Sequence, residues 1–370
     1  MNEAFNTDLA RNEANYQPLT PLTFLARAAE VMPAQTAIIH GDLQVDYASF
    51  YQRARQLASA LSHAGMGRGD TVSALLPNVP AMLEAHYGVP MCQAVLHAIN
   101  TRLDAKTIAF QLDHAGAKML LVDQRLLALA NEALALTECD PQVVVSVDTT
   151  IDEPLPRAPG ELDYETLLSA GDPAFEWLMP VDEWDAISIG YTSGTTGNPK
   201  GVVSHHRGAY LLAQGNALIT NMPRYATYLW TLPMFHCNGW CFPWTLSVVF
   251  GTHVCLREVR PEPIWQALDA HGVTHLCGAP PVMSVLVNTD PAERTALKRP
   301  VEFMTAAAPP PKSVLAQMEA AGFNVTQLYG LTETYGPAVV NEWHTQWDAL
   351  DSDARTALKA SQGVRYTPLE

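Results

Sequence analysis

Cations are scarce in this chain. Its 370 residues carry 22 Lys and Arg against 38 Asp and Glu, a net charge of −16, and no basic cluster interrupts the deficit. Nucleic acid is thereby excluded as a partner, because binding a phosphate backbone requires a basic footprint. Cysteine is also sparse: Cys92, Cys139, Cys237, Cys241, Cys255 and Cys277 show none of the paired spacing of a disulfide-stapled secreted domain, and reduced thiols in a cytoplasm are the natural reading. The opening segment, Met1 to Pro18, holds Asn2, Glu3, Asp8 and Glu13 without an apolar core and does not read as a secretory signal. The sequon Asn324-Val325-Thr326 therefore carries no weight. The most apolar stretch, Trp240 to Phe250, is too short to span a bilayer and contains Pro243, so no transmembrane segment is expected. Repeats and low-complexity tracts are missing, and Gly65-Met66-Gly67-Arg68-Gly69 lacks the spacing of a dinucleotide fingerprint.

What is present is alternation. Strand-like and helix-like segments follow one another almost throughout, the pattern of parallel sheets covered by helices, in a length that allows roughly two or three domain-sized units. Thr20-Pro21 starts a helix running to about Val31, and Thr36 to His40 with Gln44 to Tyr47 flank Gly41-Asp42 as a hairpin. Strands are then expected at 71–76, 94–99, 118–122 and 142–147, with helices at 80–89, 104–114 and 124–136 between them. Pro154, Pro156 and Pro159 mark 148–160 as a connecting loop. A second series places strands near 228–232, 253–256, 274–277, 301–305 and 324–329, separated by helices near 261–271, 280–288 and 312–321. The expected fold class is α/β, two doubly wound sheet units side by side. The crevice between such units is where ligands of open sheets bind.

The segment richest in chemistry is Tyr191-Thr192-Ser193-Gly194-Thr195-Thr196-Gly197-Asn198-Pro199-Lys200-Gly201, directly after the apolar run Ala186 to Ile189. Small residues let backbone N–H groups approach phosphate oxygens, hydroxyls add donors, and Lys200 supplies a point charge. This is a loop for a polyphosphate. It is not a Walker loop, because the Gly-to-Gly-Lys spacing differs and Pro199 argues against a helix starting through the lysine. Tyr329-Gly330-Leu331-Thr332-Glu333-Thr334 follows an expected strand and offers Glu333 as a hard-oxygen ligand for Mg²⁺ and Thr332 as a phosphate donor; a capped turn leading into a helix is the structural alternative. His236, Cys237 and Cys241 lack the ligand spacing of a zinc site. His205-His206 reads as surface or capping.

Taken together, the 191–201 loop and the 329–334 segment resemble the adenylate-forming superfamily of acyl-CoA synthetases, luciferases and peptide-synthetase adenylation domains. The likeness is strongest to methylmercaptopropionate-CoA ligases and to short- and medium-chain fatty acyl-CoA synthetases. The resemblance implies that ATP or AMP is held by Thr192, Ser193, Gly194, Thr195, Thr196, Gly197 and Lys200, by Cys237, by Ala307, Ala308 and Pro309 of an adenine-binding turn, and by Gln327, Tyr329, Gly330 and Thr332. It assigns Thr192, Lys200 and Glu333 to catalysis and Thr192 with Glu333 to Mg²⁺. His236, Trp240, Ala307 and Ala308 would line the acyl site, Trp240 as a gate that moves when ATP binds.

The implied reaction joins a small carboxylic acid to AMP and then to CoA, with ATP, Mg²⁺ and CoA as cofactors and co-substrate; benzoate-type ligases are the close competitor. The implied division is 1–67, an N-terminal helix and hairpin packing on the second subdomain; 68–207, ending in the phosphate loop; 208–340, with the acyl pocket; and 341–370, the start of a β-barrel subdomain opening at Gln362 to Tyr366. The superfamily's ribose-binding aspartate, hinge and C-terminal lid lie beyond the last residue, so the chain is expected to be a poorly active N-terminal fragment. A strand edge near Val364 to Tyr366 would favour self-association, leaving a homodimer open.

Overall fold

The computed structural model describes residues 5, 7–150, 154–155, 161–192, 197–308 and 310–369, the side chain of Ser352 aside. The chain begins with α1 (Leu22–Val31) and a hairpin of β1 (Thr36–His40) and β2 (Leu43–Asp46), turned at Gly41 with φ 55°. Asp46 caps α2 (Tyr47–His63), accepting from the Ser49 N–H at 2.8 Å. Phe50, Ala54, Leu57 and Leu61 recur at helical spacing along α2 and are buried. There follow β3 (Thr71–Leu75), α3 (Pro80–Met91), β4 (Val95–Ala98), α4 (Ala105–Ala115), β5 (Ala117–Asp123), α5 (Leu127–Leu134) and β6 (Gln142–Ser146). Then come β7 (Leu162–Asp163), α6 (Tyr164–Ser169), β8 (Ala186–Thr192), β9 (Lys200–His205) and α7 (His206–Ile219). Strands β3 to β9 form one sheet in the order β7-β6-β5-β3-β4-β8-β9, parallel except for the β8–β9 hairpin. All of β3 is buried, as a strand covered on both faces should be.

Beyond α7 the chain builds β10 (Thr227–Leu229), β11 (Thr252–Val254), β12 (His275–Cys277), β13 (Val301–Thr305), β14 (Phe323–Leu331), β15 (Gly336–Val340) and β16 (Val364–Arg365). These join the N-terminal hairpin in a nine-stranded sheet, β16-β15-β14-β13-β12-β10-β11-β1-β2. Strand β1 lies parallel to β11, with Ile38 opposite His253. The fold is therefore α/β with two largely parallel sheets, and the chain crosses from the second sheet to the first after α2 and back after α7.

Buried ions tie the sheets together. Arg257, just past β11, donates to Asp123 at the end of β5 through Nη2 at 2.5 Å and Nη1 at 2.8 Å, and to Asp148 beyond β6 at 3.4 Å. His40 of β1 reaches the same Asp148 at 2.7 Å. Burial pushes the Asp148 carboxyl up, but hydrogen bonds from His40 and Thr150 outweigh it and hold the group down at about 2.

Several expectations shift. Tyr47 opens a helix instead of ending a strand, because Asp46 caps it. The helix expected over 124–136 is divided into a 3₁₀ turn, Gln124–Leu126, and α5. The segment expected to start a barrel is β16, hydrogen-bonded to β15 at the edge of the nine-stranded sheet, and no closed barrel forms among the described residues. Its Val364 is exposed but Tyr366 is fully buried. His206 is buried and bonded to Thr20 Oγ1 at 2.8 Å, so it is not a surface residue, while His205 does cap α7 through the Gly208 N–H. The six cysteines are free, and no helix among the described residues is long and apolar enough to cross a membrane.

Replacing Arg257 with Met leaves two buried carboxylates without their cation, and urea unfolding at pH 7 should lose about 3–5 kcal/mol. Because the folded Asp148 pKa lies below its unfolded value of about 3.9, the stability it contributes is complete above that pH. It should be lost as pH falls towards 2, and the deficit of the variant should shrink over the same window. A deficit that does not change between pH 7 and pH 2.5 would contradict the ionic account.

Candidate active site

Strands β8 and β9 form an antiparallel hairpin in which Thr192, last in β8, is paired with Lys200, first in β9. Ser193, Gly194, Thr195 and Thr196 lie outside the described residues, as does Pro309; Gly197 is exposed, with open space around it. The expected strand before Tyr329 continues through Leu331, so Tyr329 and Gly330 belong to β14, and Thr332–Thr334 form a 3₁₀ turn. Tyr329 is 43% exposed and Glu333 is exposed. Thr334 Oγ1 accepts from the Leu331 N–H at 2.9 Å and donates to the Gly336 carbonyl at 2.7 Å. Tyr335 ties this turn to the hairpin, its Oη accepting from the His205 N–H at 2.8 Å while its ring fills the space beside Gly208.

The third component follows β10. Cys237, Asn238, Gly239, Trp240 and Cys241 have φ of 43°, 41°, 56°, 53° and 62°, a left-handed turn in which only one residue is glycine. Asn216 of α7 donates to the Trp240 carbonyl at 2.7 Å. Cys237 Sγ lies 3.5 Å from Thr332 Oγ1, and a Cβ at Gly190 of β8 would stand 3.5 Å from Thr332 Cγ2 and 3.8 Å from Asn238 Oδ1. The hairpin, the Thr332 turn and the left-handed turn therefore meet. The fourth component follows β13, where Ala307 adopts φ 82°, a conformation in which glycine would be unstrained.

Two cavities flank Phe235, His236 and Cys237, which line both. One, of about 480 Å³, is walled by Trp240, Val259, Val282, Val285, Ala306, Ala307, Gly330 and Pro337. The other, of about 410 Å³, opens onto Tyr191, Thr192, Pro199 and Thr332. Burial holds the His236 imidazole below its ordinary value, so it is neutral at pH 7. Burial pushes the Cys237 thiol up; its contact with Thr332 opposes this and the charge of Glu333 adds to it. Gln327 is 2% exposed and its Oε1 has no hydrogen-bond partner, while Ala308 is exposed. Asn78, Asn100, Asn216 and Tyr335 contribute to this region without any local motif that announces them.

The sequence profile described as AMP-binding enzyme matches residues 25–366. The chain belongs to the AMP-binding enzyme family. It is 49% identical to an acetate/butyrate–CoA ligase of Arabidopsis thaliana labelled peroxisomal, an alignment covering 98% of this chain and 66% of that protein. It is 47% identical to an acetate–CoA ligase of Humulus lupulus, with the same coverage, and 41% identical to a peroxisomal benzoate–CoA ligase of Arabidopsis thaliana, covering 96% of this chain and 63% of the relative. This AMP-binding enzyme chain thus spans just under two thirds of the length of these relatives. Its fold matches the N-terminal domain of FACL13 from Mycobacterium tuberculosis with a TM-score of 0.79 at 23% identity, covering 94% of this chain and 83% of that one. A long-chain-fatty-acid–CoA ligase from Archaeoglobus fulgidus matches with a TM-score of 0.80 at 21% identity, covering 95% and 70%.

The Trp240 wall depends on Gly336, whose φ is 133° and whose hypothetical Cβ would sit 3.0 Å from Trp240 Cα. Gly336→Ala should therefore lower unfolding stability by about 1–3 kcal/mol. A variant as stable as the parent in urea would mean that the chain at 336 is free to relax.

Proposed function

We propose that this site serves an ATP-dependent acid–thiol ligase that activates a short- or medium-chain carboxylic acid as an acyl-adenylate and transfers it to CoA. The observation that carries the reading is the partition: one segment, Phe235 to Cys237, separates an apolar cavity of about 480 Å³ from a second cavity at the phosphate hairpin. An acid with its chain in the first cavity presents its carboxylate beside neutral His236, facing a nucleotide phosphate in the second. In the first step a carboxylate oxygen attacks the α-phosphorus, the bond to the β-phosphate oxygen breaks and pyrophosphate leaves. In the second the sulfur of CoA attacks the acyl carbonyl, its proton passes to solvent, and AMP departs with the bonding electrons.

Two anions must meet, so the demand on the protein is charge neutralisation and alignment. His236 donates a hydrogen bond without adding charge, Lys200 supplies a fixed cation, and Thr192 and Thr332 offer hydroxyl donors. Glu333 and Thr192 are read as the hard-oxygen ligands for Mg²⁺, which prefers one or two protein oxygens together with substrate phosphates. When bound, the ion neutralises phosphate charge. The turn at Ala307 and Ala308, with Pro309, is read as the adenine contact, and Gln327, Tyr329 and Gly330 as the nucleotide wall.

Among the acids, the aliphatic names of the relatives at 49% and 47% identity favour a short chain over benzoate at 41%; methylmercaptopropionate is a specific member of that class. Cytoplasmic placement rests on the free cysteines, and the peroxisomal labels of the Arabidopsis relatives are the competing assignment. A non-catalytic nucleotide-binding fragment is the second reading.

Calorimetry with non-hydrolysable butyryl- and benzoyl-adenylates tests the reading: the butyryl compound should bind more tightly, and absence of heat with both, in folded protein, would defeat it. Binding without pyrophosphate release from ATP and acid would favour the non-catalytic fragment. In the same assay Glu333→Ala should weaken ATP in the presence of Mg²⁺ about tenfold or more, roughly 1.4 kcal/mol, while leaving metal-free AMP nearly unchanged. Equal losses for both nucleotides would remove Glu333 from the metal site.

A further inference from the structure

The phosphate hairpin belongs to the first sheet and His236 to a segment of the second, so catalysis of the kind proposed above needs something to hold one in register with the other. We propose that Asn78 is the positioning residue that does this. It stands in the loop that leaves β3 of the first sheet for α3, 6% exposed. Its Nδ2 donates to the carbonyls of Trp230 at 2.8 Å and Leu232 at 3.0 Å, and its Oδ1 accepts from the Met234 N–H at 2.8 Å. Both amide hydrogens and the oxygen are thereby used, and only this orientation of the amide satisfies two acceptors and one donor.

The partners have their own logic. Trp230, Leu232 and Met234 are alternate residues of the irregular segment leaving β10, just where ladder pairing ends: Trp230 N–H still bonds to Val254 of the β11 strand at 3.0 Å. The Asn78 side chain offers this segment what the next strand would otherwise supply, a peptide-like group carrying donor and acceptor together. Pro77 and Pro80 fix the backbone on either side of Asn78, so the amide is presented by a stiff support. Two residues past Met234 lies His236, followed by the left-handed turn that carries Cys237 to Thr332. A displacement at Met234 is passed to His236 with little slack, and the partition between the cavities moves with it.

The inference rests on the ligase reading only for what His236 and the partition serve; the positioning itself is a property of this chain alone. The test uses Asn78→Asp, which keeps the acceptor for Met234 but turns oxygen towards two carbonyls, and Asn78→Ala, which introduces no charge and stands in should the first variant not fold. Hydrogen-exchange mass spectrometry should show the amides of 234–241 exchanging about tenfold faster or more in either variant, with the strands of the first sheet still protected as in the parent. Affinity for a non-hydrolysable butyryl-adenylate should fall about tenfold while that for AMP stays within about twofold, a split that general loss of stability does not produce. Unchanged exchange over 234–241, acceleration spread evenly over the whole chain, or equal loss of both ligands would overturn the assignment. If the parent binds no acyl-adenylate but the exchange pattern holds, Asn78 remains the positioning residue and the ligase reading falls instead.

Discussion

Five consecutive residues, Cys237 to Cys241, run through left-handed space, and three of them, Cys237, Trp240 and Cys241, carry side chains that disfavour it. Each such residue costs about 1–2 kcal/mol, so the turn persists only where its surroundings over-determine it. They do so from several directions. Asn216 binds the Trp240 carbonyl, Thr245 Oγ1 donates to the Cys241 carbonyl at 3.0 Å, and the missing Cβ atoms of Gly239 and Gly336 admit Trp230 and Trp240 at distances that no side chain would allow. What the strain secures is direction. A right-handed turn would point Cys237 and Trp240 elsewhere, whereas here Cys237 meets Thr332 and Trp240 walls the apolar cavity.

The support beneath that turn is buried. Helix α3 of the first sheet packs against Phe242–Val248, with the Trp244 indole N–H donating to the His86 carbonyl at 3.2 Å and Tyr87 Oη donating to the Pro243 carbonyl at 3.0 Å. Burial drives His86 down to about 4 and His253 to about 3, so both rings are neutral in the seam. Buried in this way, each seam hydrogen bond is costly to break without a replacement. The two sheets consequently behave as one support for the crevice, and the ionic contact of Arg257 with Asp123 and Asp148 closes the seam at its other end.

The alternation of strands and helices along the chain was legible because strand-like runs such as the valines of 142–146 alternate with amphipathic stretches of helical period. Helix α2 was not, since its cap, Asp46, falls inside what reads as a continuing strand. Helix α7 was legible only at its start, where His205-His206 reads as surface or capping; His205 is the cap, although an imidazole lies outside the usual capping set. The family-level identity was legible in Thr192 to Lys200 and Tyr329 to Glu333, where phosphate chemistry demands small and hydroxyl residues in order. Asn78 was invisible because its partners lie 152 to 156 residues away, and no local pattern distinguishes an amide that spans two sheets from one in a surface turn. The left-handed turn was half legible: Asn238-Gly239 favours such backbone, but Cys237, Trp240 and Cys241 do not.

The distribution of strain separates a site from a packing defect. Among the described residues, eleven non-glycine positions have positive φ, and six of them, Cys237, Asn238, Trp240, Cys241, Ala307 and Tyr335, belong to the segments that converge on the crevice. The others, Asp8, Gln93, Asn221, Tyr225 and Phe250, are scattered along the chain. Cys237, Trp240 and Ala307 line the same apolar cavity, so its walls are built twice over from backbone that an unstrained chain would avoid. Random defects would not concentrate around one cavity, and a purely structural gap would be filled by ordinary rotamers at lower cost. Left-handed backbone also reverses the side-chain and peptide directions, turning N–H groups towards space that a normal turn would fill with a Cβ. For Ala307 that is the consequence of placing an alanine where glycine would be free: the methyl group costs strain, and what remains is a peptide held in one orientation at the edge of the crevice.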